Sequence, residues 1–89
     1  MRVIAGELRG RRLLKPRFRG IRPTADRVRE TLFNVLGDCI VDAKVLDGYA
    51  GTGAVGIEAL SRGAADVAFV ELDQRAVSLI KENLTRCGV

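Results

Sequence analysis

Apolar positions in this chain change their spacing several times, and each change marks an element. Arg2-Val3-Ile4-Ala5 and Arg12-Leu13-Leu14-Lys15 are two short strand-like runs, and the stretch from Gly6 to Gly10 supplies the turn. That order predicts a β-hairpin. A basic loop follows from Lys15 to Arg22, with Pro16 and Gly20 in it. Pro23-Thr24 then opens a helix, with Thr24 as the N-cap and Asp26 favourable in the first turn. Val28, Leu32, Val35 and Leu36 fall at i, i+4, i+7 and i+8, which predicts one apolar face. Arg27, Arg29 and Glu30 lie off that face or at its edge, and Gly37 is a natural stop.

Beyond residue 43 the pattern becomes strand, helix, strand, helix. Lys44 to Ala50 reads as a strand, Gly53 to Arg62 as a helix closed by Gly63, and Asp66 to Glu71 as a second strand. Gln74 to Arg86 is the next helix, with Val77, Ile80 and Leu84 at helical spacing and Gly88 near its end. Two strands joined by a helix predict a parallel pair with a right-handed crossover. A parallel sheet wants both faces covered and usually several more strands. The expectation is therefore an α/β unit that forms the N-terminal part of a longer protein.

Charge divides the chain in two. Residues 1–29 carry nine Arg and one Lys against Glu7 and Asp26, a net +8, whereas residues 30–89 carry a net −4. A basic arm on an acidic body points to a polyanionic partner for the arm. Arginine is the better fork for phosphate, so nucleic acid is favoured. Lipid headgroups fit less well, because the arm lacks an amphipathic helical stripe. No apolar run approaches the roughly 20 residues needed to span a bilayer, and no secretory signal is legible at the N-terminus. Cys39 and Cys87 fit no metal spacing and there is no histidine, so no metal is expected. The two cysteines read as reduced, packed thiols of a cytoplasmic protein.

The chemistry concentrates in Val45-Leu46-Asp47-Gly48-Tyr49-Ala50-Gly51-Thr52-Gly53-Ala54-Val55-Gly56-Ile57-Glu58. This is a buried strand, a glycine-rich turn and a helix. Gly51, Gly53 and Gly56 match the G-x-G-x-x-G spacing, which permits a tight turn and close approach of backbone to ligand. The glycines alone do not separate a dinucleotide site from an S-adenosylmethionine site, but Asp47 does. A dinucleotide presents an anionic pyrophosphate to the helix N-terminus, and a carboxylate four residues before the first glycine repels it. S-adenosylmethionine carries an ammonium and a sulfonium at that end, and an acid attracts both. Glu71 closes Val67-Ala68-Phe69-Val70 and lies 18 residues after Gly53, near the roughly 20-residue offset of the ribose-binding acid in a βαβ unit. A carboxylate at that strand tip can accept both ribose hydroxyls.

The run Arg22-Pro23-Thr24-Ala25-Asp26-Arg27-Val28-Arg29-Glu30-Thr31-Leu32-Phe33-Asn34, followed by the loop from Asp47 to Glu58, resembles the bacterial 16S rRNA guanine-N2 methyltransferases of the RsmD type. The opening Ile4-Ala5-Gly6-Glu7-Leu8-Arg9-Gly10-Arg11-Arg12-Leu13 resembles that family's N-terminal segment. The likeness covers almost the whole chain. The glycine loop is shared by many methyltransferases, and the Arg22 to Asn34 run is the more distinctive part.

The resemblance implies a Rossmann-like, S-adenosylmethionine-dependent methyltransferase fold. It implies methyl transfer to the exocyclic amine of a guanine in small-subunit rRNA. Carried over by position, Asp47, Gly51 and Gly53 line the cofactor's methionine end, Glu71 takes the ribose, Leu72 flanks the adenine, and Tyr49 and Thr52 are further cofactor contacts. The arm, with Arg9, Arg11 and Arg12 as its best candidates, is implied as the contact to 16S rRNA or the small ribosomal subunit. Thr24, Arg27 and Glu30 sit where the family's N-terminal helix closes the cofactor pocket. Residues 1–22 are thus expected to form the basic arm and residues 23–89 the first half of the methyltransferase domain.

One part of the family pattern is missing. The family carries an Asp-Pro-Pro-aromatic motif after its fourth strand, and the only prolines here are Pro16 and Pro23. A guanine N2 lone pair is delocalised into the ring, and the motif supplies oxygen acceptors that hold the amino group in line with the methyl. Such positioning contributes about several kcal/mol. The chain alone is therefore expected to be inactive and poorly folded. Two other readings compete: a dinucleotide-binding module of an oxidoreductase, against which Asp47 argues, and a non-catalytic RNA-binding module with a vestigial loop.

Overall fold

The computed structural model describes residues 1–15, 26–48 and 50–89. In chain order it contains α1 (Asp26–Leu36), a 3₁₀ turn (Gly37–Ile40), β1 (Lys44–Asp47), α2 (Ala54–Ser61), β2 (Asp66–Phe69) and α3 (Gln74–Cys87). This is an α/β arrangement. The strands pair in parallel, with Lys44 opposite Asp66, Val45 opposite Val67, Leu46 opposite Ala68 and Asp47 opposite Phe69. Two further bonds, Val70 N–H to the Asp47 carbonyl (2.9 Å) and Ala50 N–H to the Val70 carbonyl (3.1 Å), carry the contact past the strand ends.

Local chemistry sets the helix limits. The Asp73 carboxylate accepts the Arg75 N–H at 2.9 Å and caps α3, while Gly88, with φ 76°, closes it in the left-handed conformation. Helix α2 starts from Gly53, also left-handed at φ 82°. It is short and buried nearly all round, because it lies between the sheet on one side and α1 and the N-terminal arm on the other. A Cβ on Gly56 would come within 2.2 Å of the Phe69 ring, so only a glycine lets α2 lie this close to β2.

The core is divided by α2. Val3, Leu13, Ala54, Ile57 and Cys87 form one buried cluster, and Phe33, Ile40 and Ala59 form another, joined by Val45 and Val67. Fully burying a side chain such as Ile57 contributes about 1.5–3 kcal/mol. The opposite face of the sheet is open, and Leu46 on it is 70% exposed.

Four expectations need correction. The N-terminal arm folds back through a single antiparallel bridge, Arg2 to Arg12, rather than through two named strands, although the turn falls between Gly6 and Gly10 as expected. In α1 the expected apolar face, Val28, Leu32, Val35 and Leu36, is exposed, and Arg29 and Phe33 are buried instead. The reason is that α1 meets α2 through a buried ion pair, described below. Both strands end earlier than expected, at Asp47 and Phe69. Cys39 is exposed rather than packed, whereas Cys87 is buried. The Thr24 cap, the Lys15 to Arg22 loop beyond Lys15, and the boundary at residues 22 and 23 lie outside the described residues.

Candidate functional site

The glycine loop runs from the end of β1 to the start of α2, and two carboxylates meet it. Asp47 ends β1 on the face covered by α2, and its Oδ2 accepts the Gly56 N–H at 3.2 Å. Burial pushes the Asp47 carboxyl above its ordinary range; the Gly56 N–H opposes that shift, and the negative charge of Glu71 adds to it. Asp47 thus sits half-buried beside another acid, a setting that favours a cation.

Glu71 follows the end of β2. Its Oε1 accepts the Gly51 N–H at 2.9 Å and its Oε2 accepts the Asp73 N–H at 3.1 Å. Those two donors, Asp73 first, hold the carboxyl below its ordinary range. An ionised carboxylate has about four acceptor sites, so capacity remains for hydroxyl donors. Gly51 and Glu71 stand 20 positions apart, and this bond ties the loop to the second strand tip beside the Ala50 to Val70 bond.

Between the acids, Gly51 has φ 55° and Gly53 φ 82°, and their backbone direction needs glycine. Thr52 is buried, and its Oγ1 accepts the Ala54 N–H at 3.3 Å, satisfying a donor at the start of α2. Leu72 is 90% exposed at the rim of this loop pair. Asp47, Gly51, Thr52, Gly53, Glu71 and Leu72 therefore gather around one loop. Tyr49, the remaining expected cofactor contact, lies outside the described residues.

The arm is held against the body by three buried polar side chains that sequence reading missed. Glu58 on α2 accepts the Ile4 N–H (2.8 Å), the Ala5 N–H (3.1 Å), the Arg29 guanidinium (3.1 Å) and the Arg62 Nε (2.9 Å). Arg29 also pairs with Asp26, and the Arg62 guanidinium lies 5.0 Å from the Phe33 ring centre. One turn on, the Ser61 hydroxyl donates to the Ala5 carbonyl (2.6 Å) and accepts the Leu8 N–H (2.9 Å). Asn83 on α3 holds Leu14. The signal for these residues was an acid, a hydroxyl and an amide at interior positions of otherwise apolar helix faces.

On the outer side, the arm's arginines divide. The bonds Val3 N–H to Arg11 carbonyl and Leu13 N–H to Met1 carbonyl flank the Arg2–Arg12 bridge, making it a narrow pair with neighbouring side chains. Like charges directly opposite are destabilising, so this pair favours an anion between or above it. Arg2 and Arg12 line an open cleft of about 630 Å³ together with Lys15 and Asp26, and Arg2 and Arg9 line a neighbouring one of about 410 Å³. Arg11 points its influence elsewhere, lowering the Cys87 thiol against the stronger upward effect of burial. Arg2, which was not among the expected contacts, stands opposite Arg12. Among the described residues no helix is long and apolar enough to cross a membrane.

The sequence model of the family described as "Conserved hypothetical protein 95" matches residues 1–89. The chain is 52% identical over 84 residues to ribosomal RNA small subunit methyltransferase D of Escherichia coli strain K12, covering 94% of this chain and 42% of that protein. It is 51% identical over 84 residues to the protein of the same name from Haemophilus influenzae, covering 94% and 44%. A solved structure of a hypothetical protein from Thermus thermophilus superposes with a TM-score of 0.84 at 41% identity, covering 100% of this chain and 51% of that one. The chain thus spans less than half the length of the curated relatives it matches.

Proposed function

Because the chain belongs to the RsmD-type family, we propose that it is the S-adenosylmethionine-binding part of a Rossmann-like methyltransferase acting on the exocyclic N2 of a guanine in 16S rRNA. The observation that carries this reading is the convergence of Asp47 and Glu71 on the glycine loop. When bound, S-adenosylmethionine supplies a methyl group on a sulfonium. Asp47 would hold the cationic methionine end, where it gains the counter-charge that its half-buried position lacks. Glu71 would accept the ribose hydroxyls on the lone pairs left by Gly51 and Asp73, and the exposed Leu72 would lie against the adenine. Thr52, Gly51 and Gly53 would line the approach, with Tyr49 beside them.

The arm would contact ribosomal RNA, in the cytoplasm, through Arg9, Arg11 and Arg12, with Arg2 beside Arg12. The acceptor-holding Asp-Pro-Pro-aromatic motif is not among the 89 residues, so these residues by themselves are expected not to transfer the methyl.

Calorimetry tests the cofactor assignment. Charge-assisted hydrogen bonds are worth about 1.5–3 kcal/mol, so Asp47→Ala or Glu71→Ala in the full-length protein should weaken S-adenosylmethionine binding by roughly tenfold or more. Tighter binding of NAD than of S-adenosylmethionine would overturn the reading in favour of a dinucleotide module. RNA binding without either cofactor would favour a non-catalytic RNA-binding module.

A further inference from the structure

We propose that Asn83 is a positioning residue that couples the arm to the glycine loop, so that cofactor and RNA strengthen each other's binding. This rests on the reading that the loop takes S-adenosylmethionine and the arm takes RNA. Asn83 is fully buried on α3. Its Oδ1 accepts the Leu14 N–H at 2.6 Å, and its Nδ2 donates to the Leu14 carbonyl at 3.3 Å and to the Thr52 carbonyl at 2.9 Å. One amide group therefore spends both protons and its oxygen on two segments that are 38 residues apart, and its orientation is fixed by their complementary needs.

The two segments are the ones that matter. Leu14 lies between Arg12 and Lys15, which line the basic cleft. Thr52 lies between Gly51 and Gly53, and its carbonyl is turned inward to Asn83, while its own hydroxyl serves the first residue of α2. Leu13, next to Leu14, packs in the same buried cluster as Ala54, the first residue of α2. A ligand that settles the loop at Thr52 therefore also settles Leu14, and through it the return strand of the arm. Coupling of this kind is reciprocal, and typical factors are about 5–150-fold.

The test uses the full-length protein that carries these residues, S-adenosylmethionine and a labelled single-stranded RNA 20-mer. Each ligand is titrated alone and then with the other at saturation. In the wild type, the cofactor should raise RNA affinity by about fivefold or more, and RNA should raise cofactor affinity by the same factor. In Asn83→Asp, which keeps the acceptor and loses both donors, and in Asn83→Leu, the factor should fall to about one, whatever the change in the separate affinities. A residue that only supports the fold would lower the separate affinities and leave the factor intact. Because both variants could unfold, a third measurement needs no mutation: hydrogen exchange at the Leu14 amide of the wild type should slow when cofactor binds. Independent binding in the wild type, an intact coupling factor in the variants, or a Leu14 amide indifferent to cofactor would each overturn the proposal. A wild type that binds both ligands without coupling defeats this inference alone, whereas one that binds neither defeats the underlying reading as well.

Discussion

At the residue scale, Asp47 has the most exacting position. It is pushed toward protonation by burial and by Glu71, and only the Gly56 N–H pulls the other way. With a folded pKa above the ordinary value of 3.8, the folded state holds its proton more tightly than the unfolded chain. Asp47 alone therefore makes stability fall as pH rises from 3.8 through its folded pKa. A bound cation favours the ionised form, so S-adenosylmethionine affinity should rise with pH through that same window and level off above it. Titrations across the acidic range would show this, and Asp47→Asn should flatten the profile. Glu71 shows what sequence spacing conveys and what it omits. Its offset from the glycines marked it as a ligand for hydroxyls, but its bonds to Gly51 and Asp73, which make it part of the loop, depend on a fold that offset does not describe.

Among the elements, α1 separates periodicity from burial. Helical spacing located the helix, yet Val35 is 80% exposed and Arg29 fully buried. Apolar spacing alone does not locate the buried face here, because the Arg29–Glu58 pair makes the interface together with Phe33. Breaking a buried pair by removing one partner costs about 3–5 kcal/mol, while replacing both with apolar residues is far milder. Glu58→Leu should therefore strongly lower the urea midpoint, and Arg29→Met with Glu58→Leu should recover part of the loss. Phe33→Ala should cost about 3–5 kcal/mol and Val35→Lys less than about 0.5 kcal/mol; equal costs would mean that α1 is turned the other way. The βαβ order was legible because Val45, Leu46, Val67 and Phe69 alternate with turn glycines. The pinning of the arm by Glu58, Ser61 and Asn83 was not, since each bond joins residues 53 to 69 positions apart.

For the whole molecule, the division of charge sets the expected behaviour toward RNA. If the arm meets phosphates, affinity should fall with salt by a log–log slope of about −0.7 for each single-strand phosphate neutralised. Replacing Arg9, Arg11 and Arg12 together should flatten that slope and leave cofactor binding intact; an unchanged slope would mean that the arm is only a solvated charged surface. The loop that joins the two acids is the proposed seat of the cofactor. The most direct measurement is a residue-resolved NMR titration of the backbone amides with S-adenosylmethionine. The amides of Gly51, Thr52, Gly53, Glu71 and Leu72 should shift together and saturate at one ligand per chain, and NAD at the same concentration should leave them in place. Shifts centred away from that loop, or a larger response to NAD, would contradict the account.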